Sequence, residues 1–246
     1  MKKLLLALTL FYALSVVSGC TESDKKRAMP PQSEYVFDTE AEYTMSDYLF
    51  PSGDQVNVYT VKTFNDKTGA RHYVDYNDSH LSEKYTHQKK VVSMVVSGLE
   101  KKKYTVNDTN VTLYDTDKNS TIAIVKFVDM HNFIIKEETF AKTDTGESRD
   151  DFSCKLSKDL GEKAVLEAAE VDFIEVQCRI NSTTSGTVAG GKAYATQKEG
   201  TLIIQYTKGV GIYTSTQDTC ESTTFNGVTE KSCEKVVTNL VLVVPL

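Results

Sequence analysis

The mature part of this 246-residue chain predicts a mostly β fold. The expected form is a curved antiparallel sheet or half-barrel with at most one or two short helices, following an N-terminal signal helix. Two observations lead there. The dominant hydrophobic period is two, and the apolar runs are rich in Val, Ile, Thr and Tyr and separated by Asn, Asp, Gly and Ser, which is the pattern of strands joined by short turns.

Taken in order, QVNVYTVKTF (55–64) places Val56, Val58 and Thr60 on one face and Tyr59 and Val61 on the other. NDKTG (65–69) reads as a turn and ARHYVDY (70–76) as the returning strand. Further strands are expected at 89–97, 103–115, 120–128 and 133–142, then at 171–180, 192–198 and 201–207. A C-terminal hairpin completes the series. Only LGEKAVLEAAE (160–170) has helix-forming composition. Helical bundles and doubly wound folds fit poorly.

The N-terminus is of another kind. Lys2 and Lys3 precede an uncharged apolar run of 14 residues, Leu4 to Val17. That is short of the roughly 20 residues of a membrane-spanning helix and fits the hydrophobic region of a secretory signal peptide. Val17, Ser18 and Gly19 then lead directly to Cys20. This Val-Ser-Gly-Cys resembles the lipobox of bacterial lipoproteins. The resemblance implies cleavage before Cys20, a diacylglyceryl group on its sulfur, and acylation (commonly with palmitate) of the new amine. One acyl chain binds a bilayer only marginally, at about 0.8 kcal/mol per buried methylene, whereas two or three anchor it permanently. Thr21 stands where aspartate would resemble an inner-membrane retention signal, so the outer membrane is the expected destination.

Residues 1–19 are therefore read as a cleaved signal peptide, 20–33 as the lipidated cysteine and a polar tether containing Pro30-Pro31, and 34–246 as a single β-rich envelope domain. A soft division is conceivable only at the polar stretch 143–151. Loss of residues 1–19 removes two lysines and no acids, leaving 26 basic and 34 acidic side chains. That balance argues against a nucleic-acid partner. Lys101-Lys102-Lys103, with Lys89 and Lys90 upstream, reads as a solvated turn or a charged strand edge, with an anionic head group as the sharper alternative.

Export makes Cys154, Cys178, Cys220 and Cys233 candidates for disulfides. In CESTTFNGVTEKSC, Asn226-Gly227 is a strong two-residue hairpin signal. Counting outward from Phe225 opposite Val228 brings Cys220 opposite Cys233 at a non-hydrogen-bonded pair, where side chains approach closely. Cys154 and Cys178 then pair by elimination. A redox role lacks C-x-x-C, and spacings of 24, 42 and 13 do not resemble zinc ligation.

Other motifs fall short of chemistry. GTVAGGKA (186–193) has Ala193 where a P-loop needs Ser or Thr, and reads as a flexible Gly/Thr loop. DTDKNSTIAIVK (115–126) has Ser120 and Lys126 where a calcium loop needs Gly and Glu, so Asp115–Asn119 reads as a turn. KGVGIYT (208–214) lacks the third glycine of a dinucleotide fingerprint and reads as a bulge or tight bend. His72, His80, His87 and His131 show no ligand spacing, and no nucleophile elbow exists. No catalytic residue, metal or cofactor is expected, and the chain is not expected to be an enzyme.

Two stretches resemble features of a broad group of β-rich bacterial lipoproteins. SDYLFPSGDQVNVYTV (46–61) is similar to a Tyr-Phe-Pro…Gly…Tyr opening, with Leu49 interrupting the pattern and Val58 where an aromatic is common. TLIIQYTKGVGIYTS (201–215) is similar to a tyrosine strand followed by Lys-Gly-Val-Gly. What the resemblance implies is a sheet shaped like the LolA/LolB half-barrels, which enclose an apolar cavity. The reading is thus a membrane-anchored envelope lipoprotein, a non-enzymatic binding or structural module with a protein or lipid partner in the envelope; the alternative is a lipid or lipoprotein carrier.

Overall fold

The computed structural model describes residues 46–89, 91–98, 100–106, 110–115, 120–129, 134–143, 145–164, 170–188 and 190–246. Cys20, the residues Val17, Ser18 and Gly19 before it, the stretch 21–33 and His131 lie outside the described residues. The architecture is almost entirely β. One four-residue helix, α1 (Ser46–Leu49), precedes β1 (Gln55–Asp66), β2 (Asp75–Gln88), β3 (Val91–Val96), β4 (Glu100–Val106), β5 (Asn110–Asp115) and β6 (Ser120–Asp129). Then come β7 (Ile134–Thr143), β8 (Gly146–Ala164), β9 (Glu170–Val188), β10 (Lys192–Thr207), β11 (Gly211–Phe225) and β12 (Val228–Pro245).

Every strand pairs antiparallel with its neighbours in sequence, and β12 returns to pair with β1, so the order is cyclic. The ring is uneven. β8 and β9 share seventeen residue pairs, whereas β6 and β7 share two, Phe127 with Ile135 and Asp129 with Ile134. A register shift falls between those two pairs. Among the described residues, β7 beyond Ile135 pairs only with β8, through Thr143 opposite Gly146. The sheet is therefore all but unzipped along this seam.

Alternation sets the two faces. In β1 the buried residues are Gln55, Asn57, Tyr59 and Val61, and in β3 they are Val92, Met94 and Val96. Phe152, Cys154, Leu156, Val176, Cys178, Ile180, Leu202 and Ile204 continue the inward face across β8 to β10. Each fully buried large apolar side chain contributes about 1.5–3 kcal/mol. Tyr59, Tyr104, Tyr206, Phe173 and Met94 are among the largest buried side chains.

Several expectations are corrected. The returning strand after β1 begins at Asp75 and runs to Gln88, while 70–74 belongs to the connecting loop. Leu160–Ala164 is the end of β8 rather than a helix, because pairing with β9 as far as Ala164 opposite Glu170 overrides the local helix propensity. The stretch 143–151 is largely strand, with Gly146 to Asp151 paired to β9. Segments 192–198 and 201–207 form one strand, packed closely against β11 at Gly200, where an added Cβ would sit 2.3 Å from the Asp218 carbonyl oxygen. Lys102 and Lys103 lie in β4, between β3 and β5, so they are neither a turn nor a sheet edge; Lys102 is buried and Lys103 exposed. The stretch 186–193 is strand up to Val188 and again from Lys192, with Gly190 and Gly191 both at positive φ and Gly191 N–H donating to the Val188 carbonyl.

Candidate functional site

Four features of the described chain bear on function: the two disulfides, a plugged end of the ring, a buried polar cluster, and a groove beside the seam.

The structure joins Cys154 to Cys178 and Cys220 to Cys233, each pair directly opposite in its ladder with Cα atoms 4.0 Å apart. The β11–β12 turn has the form its sequence requires. Asn226 (φ 51°) and Gly227 (φ 80°) both adopt positive φ, with Phe225 opposite Val228. Cys154–Cys178 is buried among the inward apolar side chains. Cys220–Cys233 sits where the β1–β2 loop folds across the strands. Asp66 pairs with Cys233, and both the Arg71 guanidinium (3.0 Å) and the Tyr73 hydroxyl (2.8 Å) donate to Asp218 of β11. Asp66 accepts hydrogen bonds from Thr68 Oγ1, from its backbone N–H and from the His72 N–H, which hold its carboxyl down at about 2.

At one end, the segment before β1 folds onto the β10–β11 turn. Ser52 N–H donates to the Gly209 carbonyl (2.9 Å), and Gly209 N–H donates to the Asp47 carbonyl (2.7 Å). Tyr48, Leu49 and Pro51 are buried, and Phe50 packs on Tyr104 with ring centroids 5.1 Å apart. The two stretches singled out in the sequence, 46–61 and 201–215, thus pack on each other. The glycines at 209 and 211, both at positive φ, shape the turn that receives the plug.

Behind that plug lies a polar cluster. Gln55 Nε2 donates to Asn57 Oδ1 (2.6 Å), and Asn57 Nδ2 donates both to Tyr59 Oη (3.1 Å) and to the Val210 carbonyl (3.0 Å). Asn57 therefore ties β1 to the β10–β11 turn. Glu83 stands directly opposite Asn57, and Tyr85 opposite Gln55. The Tyr85 hydroxyl donates to Glu83 Oε2 (2.5 Å). Burial raises the Glu83 carboxyl to about 7, against the lowering effects of the Tyr85 and Tyr59 hydrogen bonds and of the Lys102 charge. Burial, with Glu83 beside them, pushes the Tyr59 and Tyr85 hydroxyls well up. Burial likewise pushes Tyr206 up. A buried ionised carboxylate is costly, so this cluster favours a protonated Glu83 through the weakly acidic range.

The groove lies on the other face. Register places Glu138 and Phe140 of β7, Glu147 and Arg149 of β8, and Thr183 and Ser185 of β9 on one side, opposite in parity to the inward Phe152, Cys154, Cys178 and Ile180. With Ser148, Thr184 and Thr196 of the opposite parity, these residues line an open groove of about 670 Å³. Exposed ion pairs involve its acids: Lys136–Glu138 (3.3 Å), Arg149–Glu138 (3.8 Å) and Lys142–Glu147 (3.9 Å). Phe140 is 65% exposed despite its size. Nothing in the local sequence marks this groove, because EETFAK and GESRDD read as ordinary polar surface.

His72 and His80 are exposed and separate, and the half-buried His87 ring lies 3.3 Å from Asp54. Among the described residues, no group of three or more His, Cys, Asp or Glu is arranged to hold a metal ion, and no helix is long and apolar enough to cross a membrane. The inward side chains pack on one another, and no observation among the described residues favours the carrier reading.

No family model matches the chain, and no curated protein matches it. Among solved structures, the chain is similar to a crystal structure from Parabacteroides distasonis provisionally described as a lipoprotein. The two are 10% identical with a TM-score of 0.38, covering 80% of this chain and 98% of that one.

Proposed function

We propose that this chain is a lipid-anchored lipoprotein of the bacterial cell envelope whose β domain works by binding rather than by catalysis. The single observation that carries the reading is Cys20, which closes a signal-type hydrophobic run through Val17, Ser18 and Gly19. The disulfides add support, since such bridges persist in an oxidising compartment. Thr21 after the cysteine favours the outer membrane. The tether 20–33 holds the domain off the bilayer, and residues 34–246 act as one module. No cofactor or nucleic acid takes part, and the partner is a protein or lipid of the envelope.

The test is Cys20→Ala expressed in a bacterial host and labelled with radioactive palmitate. Loss of label and movement of the protein out of the membrane fraction are expected. Undiminished labelling of the variant refutes the assignment.

A further inference from the structure

We propose that the open edge of β7 is a strand-addition site, where an extended polypeptide segment pairs its backbone with Lys136–Thr143 and lays alternate side chains into the neighbouring groove. The inference rests on the binding-module reading and specifies its ligand.

The first support is the pairing itself. β7 is bonded to β8 along its length, but on its other side it meets β6 only at Ile134 and Ile135. No described residue pairs with 136–143 on that side. Alternate N–H and C=O groups along these eight residues therefore point away from β8 without a strand partner among the described residues. At about 3.4 Å per residue they offer roughly 27 Å of edge. Such a row is a template for another chain, and its repeat matches a polypeptide backbone.

The groove supplies the second, independent support. In strand addition the main chain contributes affinity, while pockets for alternate side chains contribute specificity. Glu138 and Phe140, on the edge strand itself, begin a concave surface that continues through Glu147 and Arg149 to Thr183 and Ser185. Its volume of about 670 Å³ suits several side chains. Phe140 is the exposed aromatic anchor that interfaces favour. The acids here are already matched by Lys136, Lys142 and Arg149. Because exposed pairs are worth little, they exchange readily for charges on an incoming strand. The partner so defined is an extended segment with an apolar residue against Phe140 and charges of both signs around it.

The test uses the full chain, extracted from membranes in mild detergent, and a fluorescent peptide copying β6 (STIAIVKFVD, 120–129). A second peptide of identical sequence carries N-methyl groups on alternate amides along one edge, and a third on the other edge. Saturable binding of the unmodified peptide is expected, with loss on at least one methylated edge and weakening of about tenfold in Phe140→Ala. Equal binding of all three peptides overturns the proposal, as does no binding by a folded protein. Concentration-dependent dimers that exclude the peptide overturn it too, in favour of edge pairing between copies. Lipidation at Cys20 is read separately, so failure here leaves the anchor assignment standing.

Discussion

Glu83 makes a testable demand on stability. Its carboxyl is buried opposite Asn57 and raised from 4.5 to about 7, chiefly by desolvation. Between those values the folded chain holds a proton that the unfolded chain has released. Stability therefore falls as pH rises from about 4.5, and the loss is complete once pH passes the folded value. A shift of this size, at 1.36 kcal/mol per pH unit, corresponds to a loss of about 3 kcal/mol attributable to Glu83. Glu234, also raised by burial, acts in the same sense, so Glu83 must be isolated by difference.

Glu83→Gln keeps the shape and removes the titration. Its absolute stability depends on how the buried Lys102 fares beside a neutral amide, but its slope with pH does not. The assay is urea unfolding with disulfides intact, followed by tyrosine fluorescence, since the chain has 13 tyrosines and no tryptophan. Between pH 4.5 and 8 the parent is expected to lose about 3 kcal/mol more than the variant. Parallel profiles, or a parent that gains on the variant as pH rises, would refute the account of the cluster.

Four further outcomes follow from packing. Replacing Cys220 and Cys233 by Ala should cost about 3 kcal/mol, and Cys154 with Cys178 slightly more because the closed loop is longer; thermal melts of the two double variants check this. Mild reductant followed by mass-tagging should open Cys220–Cys233 first, because Cys220 is half-buried whereas Cys154 and Cys178 are both buried. Gly200→Ala should destabilise by about 1–3 kcal/mol, since its Cβ meets the Asp218 carbonyl and Thr219 and the two strands must part. Asn57→Ala should cost about 2–3 kcal/mol by leaving the Gln55 amide without its acceptor and the Val210 carbonyl without its donor. Hydrogen exchange in that variant should rise at 208–211, and unchanged protection there would count against its role as a tie.

Legibility in the sequence followed locality. The β11–β12 hairpin could be counted residue by residue because Asn226-Gly227 fixes its register, and β1 and β3 alternate cleanly. β2 hid behind its polarity. DYNDSHLSEKYTHQ looks solvated, yet Leu81, Glu83 and Tyr85 form a buried row. The end of β8 misled in the opposite way, because LGEKA prefers helix until β9 pairs with it. Neither the seam nor the groove has a local signature. The seam is defined by which strand fails to pair, and the groove by three strands brought side by side. The buried cluster is non-local as well, since Glu83 is expensive only because β1, β2 and β4 surround it.

The central claim is a lipid on Cys20, and the most direct measurement is the mass of the N-terminal peptide of the membrane-extracted protein. The account predicts a peptide beginning at Cys20, heavier than its sequence by a diacylglyceryl group and an amide-linked acyl chain. A peptide that still contains residues 1–19, or one beginning near Cys20 with an unmodified thiol, would contradict it.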